Sequence, residues 1–265
     1  MRGELMDELK QQTLELYSKL LRLPTFRQCE DIIRQMDKDA GYADFLIELM
    51  KREYDARQER TRERAIKAAK FPYLKTFDEL ELDRFEHVAE AQLKELAACG
   101  FIKERRNIVM IGNPGTGKTH LSIALGIKAC HLGMKVRFFT AANLANSLIE
   151  AQDNRSLMRL EKQIASADLL IIDELSYLTF NLHQSELLFK VISDRAERQS
   201  VIVSTNLKFS DWVTMFDNKT MVSALVGRLT FKSHVLNMNS EKPYRDDHAA
   251  VVSEPEKEVP HHGSK

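Results

Sequence analysis

From Gly112 to Thr119 the chain reads Gly-Asn-Pro-Gly-Thr-Gly-Lys-Thr, a G-x-x-x-x-G-K-[ST] run whose meaning depends on its surroundings. The apolar "NIVMIG" before it predicts a buried strand. "KTHLSIALGIKACHLG" after it predicts a helix that Gly133 can stop. Strand, glycine loop and helix in that order aim backbone N–H groups and the positive end of a helix dipole at one point. Gly112, Gly115 and Gly117 permit the tight turn, with Asn113, Pro114 and Thr116 between them. Lys118 supplies positive charge for β- and γ-phosphates, and the Thr119 hydroxyl is a Mg2+ ligand. The loop is therefore expected to bind a nucleoside triphosphate, with ATP and Mg2+ as the implied cofactors.

The rest of the chain agrees with a sheet built around that loop. From about residue 100, short apolar runs alternate with helical patterns. "NIVMIG", "KVRFFT", "ADLLIID", "VIVSTN" and "SHVLNM" read as strands, and 141–165 and 182–198 as helices. This alternation predicts an α/β fold, a parallel sheet with helices on both faces. Two of these strands end in useful chemistry. "LLIIDE" places Asp173 at the C-terminal edge of a buried strand, where ligands sit in open α/β sheets. Asp173 is expected to hold Mg2+ with Thr119. Glu174, beside it, is a carboxylate that can polarise water for in-line attack on a γ-phosphate. A kinase has no use for such a group, because its nucleophile is the substrate. "VIVSTN" ends in Asn206, an amide that could orient the attacking water.

Before the sheet, residues 1–70 predict a small all-α domain. Leu5, Leu9, Leu16, Leu20 and Leu23 form one apolar stripe stopped by Pro24. Ile32, Ile33 and Met36 mark a second helix, and Phe45, Leu46, Leu49, Met50 and Tyr54 a third. Residues 51–70 hold eight Lys/Arg against four Asp/Glu. Arg57, Arg60 and Arg64 in that helix, and Arg155, Arg159 and Lys162 in "NRSLMRLEKQ", are local groups of basic side chains. An ordinary salt-bridged surface helix would account for the first three. Whole-chain charge gives no help, since 39 Lys/Arg balance 39 Asp/Glu and any polyanion contact must be local. Residues 71–100 are expected to form a linker and the adenine side of the site, 101–246 the ATPase domain, and 247–265 a disordered tail. Cys29, Cys99 and Cys130 have no zinc or disulfide spacing. The charged N-terminus and the lack of an apolar run near the ~18 residues of a membrane helix complete a cytoplasmic expectation.

The order and spacing of the loop, "IIDE" and Asn206 resemble an AAA+ ATPase, in which Asn206 would be the sensor-one residue. In such enzymes a neighbouring subunit's arginine completes the site. Arg228 is the first candidate here, with Arg195 and Arg198 as rivals, and Arg245 would be a sensor in cis. More closely, "GNPGTGKTHLSIALGIKACHLGMKVRF", "ADLLIIDELSYL", "LLFKVISDRAERQSVIVSTNLKFSDW" and "ALVGRL" resemble the IstB-type transposition helper ATPases, relatives of the DnaC-type helicase loaders. His120 and Trp212 match that pattern. "NSEKPYR" departs from the family's usual Gly-Glu-Ser-Tyr-Arg type ending. The resemblance implies an ATP-dependent homo-oligomer on duplex DNA with a DDE transposase as partner, in which Arg155, Arg159, Lys162, Arg57, Arg60 and Arg64 would be candidate contacts to DNA phosphates. A helicase loader with the same ATP site is the alternative.

Overall fold

The structure, a computed structural model, describes residues 8–37, 39–81, 85–175, 179–196, 198–216 and 218–240. Leu5, Arg245 and the tail expected over 247–265 lie outside these residues. The chain opens with α1 (Glu8–Leu20), a 3-10 turn at Pro24–Gln28, α2 (Cys29–Gln35) and the 28-residue α3 (Tyr42–Ala69). The Asp44 carboxylate accepts the Gly41 N–H at 2.9 Å and so fixes the start of α3. A second 3-10 turn (Phe77–Glu79), α4 (Glu90–Ala97) and α5 (Gly100–Lys103) lead to the first strand.

From there strands and helices alternate as the pattern predicts: β1 (Asn107–Ile111), α6 (Lys118–His131), β2 (Val136–Thr140), α7 (Ala141–Asp153), α8 (Leu157–Ala165), β3 (Leu169–Asp173), α9 (Leu182–Arg195), β4 (Ser200–Thr205), α10 (Lys219–Thr230) and β5 (Ser233–Asn237). The region 141–165 divides into two helices. Every pairing in the sheet is parallel, in the order β2-β3-β4-β1-β5. The chain runs outward from β1 to the β2 edge, returns to β1's side at β4, and crosses to β5. The crevice at the C-terminal ends of β1, β3 and β4 is thus the place where this topology puts a ligand.

The two-residue period of the strands explains why the sheet is covered on both faces. Ile108, Met110, Leu169, Ile171 and Ile202 point to one core, shared with α4, α5 and α6. Val109, Leu170, Ile172, Val201 and Val203 point to the other, under α7, α9 and α10. Each such side chain removed from water stabilises the fold by about 1.5–3 kcal/mol. Trp212, fully buried, donates its indole N–H to the Leu207 carbonyl at 3.3 Å and meets Phe209 edge-on, pinning the segment after β4.

The N-terminal helices have a small core of their own: Cys29, Ile32 and Leu49, backed by Leu14, Phe26, Met36 and Phe45. The far end of α3 belongs elsewhere. Ala65, Ile66 and Ala69 join the core of the sheet, and Arg137 of β2 donates to the Ala68 carbonyl. One helix therefore runs from the N-terminal cluster into the sheet.

Candidate nucleotide site

The phosphate loop is clamped at its base by both neighbours of β1. The Gly112 N–H donates to the Thr205 carbonyl on β4 at 3.2 Å. On the other side the Met238 N–H, just past β5, donates to Ile111 at 2.7 Å. The strands come so close that a Cβ on Gly112 would stand 2.5 Å from the Met238 carbonyl group, so only glycine fits. The Asn113 N–H donates to the Asn239 carboxamide oxygen at 3.1 Å. At the other end of the loop Gly117, with φ +87°, is the N-cap of α6. Lys118 is buried and folds back over the loop, its Nζ 2.6 Å from both the Gly112 and Asn113 carbonyl oxygens. Pro114, Gly115, Thr116, Gly117, Lys118, Thr119 and His120 all border a cleft of about 300 Å3 with Glu174, Ser204 and Asn206.

Across the cleft floor lies a chain of side chains from three elements. The Thr119 hydroxyl donates to Asp173 Oδ2 at 2.8 Å. The Ser204 hydroxyl donates to Asp173 Oδ1, and accepts the Glu174 N–H at 3.0 Å. Asp173 is 2 % exposed, whereas Glu174 is exposed toward the cleft. Glu174 carries φ +57°, a left-handed conformation uncommon for a side-chain-bearing residue. Among the described residues, the side chains that hydrogen-bond Asp173 are both neutral hydroxyls. A buried carboxylate and a threonine hydroxyl facing one another at the mouth of a phosphate loop form an all-oxygen donor set, the type that suits Mg2+. Thr119 and Asp173 could hold that ion, and Lys118 with the loop amides could hold phosphates.

The other wall of the cleft is the segment expected as linker. Tyr73, Lys75, Glu79, Leu80 and Phe85 border it. A capping exchange shapes this wall: Glu79 accepts the Thr76 N–H at 3.2 Å and the Lys75 ammonium at 2.7 Å. The Lys75 partnership and the Thr76 amide hold the Glu79 carboxyl below the usual carboxylate range. His120 fastens the wall to α6, its Nε2 lying 3.0 Å from the Thr76 carbonyl oxygen. The His expected among the nucleotide-binding residues thus grips the protein's own strap.

The arginine candidates separate clearly. Arg195 is 3 % exposed and donates to the carbonyls of Ile164 (2.5 Å), Ala167 (3.0 Å) and Ser200 (3.1 Å). Burial pushes its guanidinium down to about 10. As a rival interface arginine it is corrected: it is a buried strut joining α8, α9 and β4, and it cannot reach another subunit. Arg228 and Arg198 are exposed. Arg228 sits on α10 with its guanidinium 5.4 Å from the centre of the Phe189 ring, away from the residues that border this chain's own cleft.

The candidate DNA contacts divide as well. Arg57 and Arg60 reach Glu53 at 2.7 and 3.5 Å, and Arg57 also donates to the Arg22 carbonyl at 2.7 Å. Arg64 is exposed farther along the same helix. Arg155, Arg159 and Lys162 are exposed at and after the α7–α8 turn. Sequence reading missed Ser204, Lys75, Glu79 and Phe85 as cleft residues. The one available signal was "VIVSTN", where two hydroxyl residues interrupt an apolar strand.

The sheet order, the phosphate loop and the acidic strand edge define an AAA+ P-loop nucleotide-binding fold. AMPPCP-bound DnaA from Aquifex aeolicus shares it with a TM-score of 0.56 at 19 % identity, over 66 % of this chain and 53 % of that one. DnaI shares it with a TM-score of 0.51 at 12 % identity, over 62 % of this chain and 90 % of that one. At those identities the likeness is one of fold, and this chain spans only about half of the DnaA chain. Within that class residues 18–250 match the family described as IstB-like ATP binding protein, and the chain belongs to it. A Pseudomonas aeruginosa protein named as an ATP-binding protein of insertion sequence IS21 is 33 % identical over 204 residues, 77 % of each chain. Its counterpart from IS5376 of Geobacillus stearothermophilus is 33 % identical over 201 residues, 76 % of this chain and 80 % of that one.

Proposed function

We propose that this chain is a Mg2+-dependent ATPase that assembles as a homo-oligomer on duplex DNA, reshapes it as a transposition target and recruits a DDE transposase. Family membership and the insertion-sequence names of its relatives support the setting. The observation that carries the chemistry is the Thr119–Asp173–Ser204–Glu174 chain of hydrogen bonds beside a phosphate loop. Residues 1–70 would serve partner and self contacts, 71–100 the base side of the site, and 101–246 the ATPase unit, in the cytoplasm. No helix among the described residues is long and apolar enough to cross a membrane.

In this reading the loop amides and Lys118 bind the phosphates. Mg2+, when bound by Thr119 and Asp173, supplies charge neutralisation to the β- and γ-phosphates. Glu174 accepts a proton as the water oxygen bonds to the γ-phosphorus and the bond to the β–γ bridging oxygen breaks, leaving ADP and phosphate. Asn206, at the end of the strand next to Glu174's, orients that water. Arg228 of a neighbouring copy stabilises the charge that develops on the transferred group. Exposed Arg155, Arg159, Lys162 and Arg64 contact DNA phosphates, while Arg57 and Arg60 contribute only after satisfying Glu53.

The insertion-sequence relatives at 33 % identity favour this over a helicase loader. The test is capture by the full chain with ATP, Mg2+ and duplex DNA. Retention of a DDE transposase is expected, with DNA affinity falling steeply as salt rises. Retention of a hexameric helicase and no transposase would overturn the partner assignment.

A further inference from the structure

Ser204 lies in the middle of the site, yet no motif in the sequence singles it out. It sits on β4 with 1 % of its surface exposed, and its hydroxyl and carbonyl both bond the end of β3 and the turn that follows it. Its hydroxyl donates to Asp173 Oδ1 and accepts the Glu174 N–H at 3.0 Å. Its carbonyl accepts the Leu175 N–H at 3.0 Å. The hydroxyl bond leaves Asp173 Oδ2 turned to Thr119. Together the three bonds hold the turn in which Glu174 adopts φ +57°. A left-handed backbone is costly for a non-glycine residue and persists only where surrounding contacts over-determine it. Nothing else among the described hydrogen bonds to the Glu174 N–H competes with Ser204.

We propose that Ser204 is a positioning residue for this site. Its single hydroxyl sets the rotation of the Asp173 carboxylate and, through the strained turn, the direction in which Glu174 faces the cleft. Ser204 also stands two residues before Asn206, which directly follows the last residue of β4, so the group that aims the base and the water-orienting amide are near neighbours along the chain. A shift of β4 driven at Asn206 would move Glu174 with it. The proposal rests on the hydrolysis reading above for its effect on rate, but its effect on metal-dependent binding stands apart from that reading.

The test uses the full chain with Ser204→Ala and Ser204→Thr. Phosphate release, ATP affinity from a fluorescent ATP analogue, the Mg2+ concentration at half-maximal nucleotide binding, and thermal midpoint are measured for each. Ser204→Ala should lower kcat about ten- to a hundredfold, as expected for a misaligned general base. It should raise the Mg2+ requirement several-fold and leave both nucleotide affinity at saturating Mg2+ and the thermal midpoint near wild type. Ser204→Thr, which keeps the hydroxyl, should restore both kcat and the Mg2+ requirement. In a Glu174→Gln background Ser204→Ala should lower the residual rate little further, because it acts through the group already removed. Equal losses in the Ala and Thr variants, or a fall in thermal midpoint that accounts for the whole effect, would show a packing role and overturn the proposal. If wild type releases no phosphate, the hydrolysis reading fails, and an unchanged Mg2+ requirement in Ser204→Ala would overturn the Ser204 assignment separately.

Discussion

Two buried carboxylates organise two ends of this molecule, and they are treated in opposite ways. Asp173, under the phosphate loop, receives hydroxyl hydrogen bonds from Thr119 and Ser204. Glu53, in the middle of α3, receives the Thr25 N–H at 3.1 Å and the Thr25 hydroxyl, and pairs with the guanidiniums of Arg57 and Arg60. Glu53's charge is matched within the chain. Burial alone would raise its carboxyl, but the Thr25 hydroxyl and the Arg57 guanidinium more than offset this and hold it below the usual range. Among the described hydrogen bonds, Asp173 is oriented by two neutral hydroxyls. The lesson is that a buried acid met by cations is finished as structure, whereas one met by hydroxyls is prepared to meet a cation that arrives with a ligand.

The comparison can be broken from the cleft outward. The largest effect is expected at Arg228: Arg228→Ala should bind ATP normally and lose about a thousandfold in phosphate release, the scale of an arginine supplied across an interface. Mixing this variant with Glu174→Gln should recover part of the activity, since some interfaces then hold both intact groups; no recovery would place Arg228 outside the shared site. Lys118→Ala should weaken nucleotide binding by about a hundredfold, read by titration with a fluorescent ATP analogue, because a buried charge next to the phosphates is removed.

The next effect is on folding. Arg195→Ala should lower stability by about 3 kcal/mol, seen as an earlier urea midpoint, since three buried carbonyls lose their donors. Arg228→Ala, on an exposed site, should leave that midpoint unchanged. The smallest effect is at Glu53. Glu53→Ala should loosen α1 to α3 by about 2 kcal/mol in hydrogen exchange, with ATP binding intact. The pH dependence has a definite sign. A carboxyl whose folded value lies below its ordinary 4.5 adds stability above that pH and loses it as pH falls through the folded value. The N-terminal helices should therefore loosen in acid below about pH 4.5, and Glu53→Gln should remove that acid transition.

How much of this was legible in the sequence follows the same division. The phosphate loop, the strand ending in Asp173 and the amide at Asn206 depend on local order along the chain, and periodicity alone assigned them to a parallel sheet. The helices α1 to α3 were legible in the sequence, but Leu9, Leu16, Leu20, Leu46, Met50 and Tyr54 of the expected apolar stripes are exposed, and the pairing of Glu53 with Thr25, 28 residues away, left no local signal. Arg57 and Arg60 read as a basic surface because their partner lies on the same helix as an unremarkable acid. Arg195 read as an interface candidate for a similar reason. Its three carbonyl partners belong to α8, to the start of β4 and to the turn between α8 and β3, and only the folded sheet brings them together. Ser204 needed the register of β4 against β3, where Ile172 faces Val203 and so sets Asp173 beside Ser204. A residue whose role is set by strand register leaves little trace in one sequence.

In the proposed function, Glu174 turns a nucleotide-binding site into a hydrolytic one. This role is tested most directly by phosphate release from saturating ATP, with Mg2+ and duplex DNA, in wild type and Glu174→Gln at matched nucleotide occupancy. The variant should lose about a hundredfold or more in phosphate release, with ATP affinity retained and the complex longer-lived on DNA. Equal rates in the two proteins would contradict it.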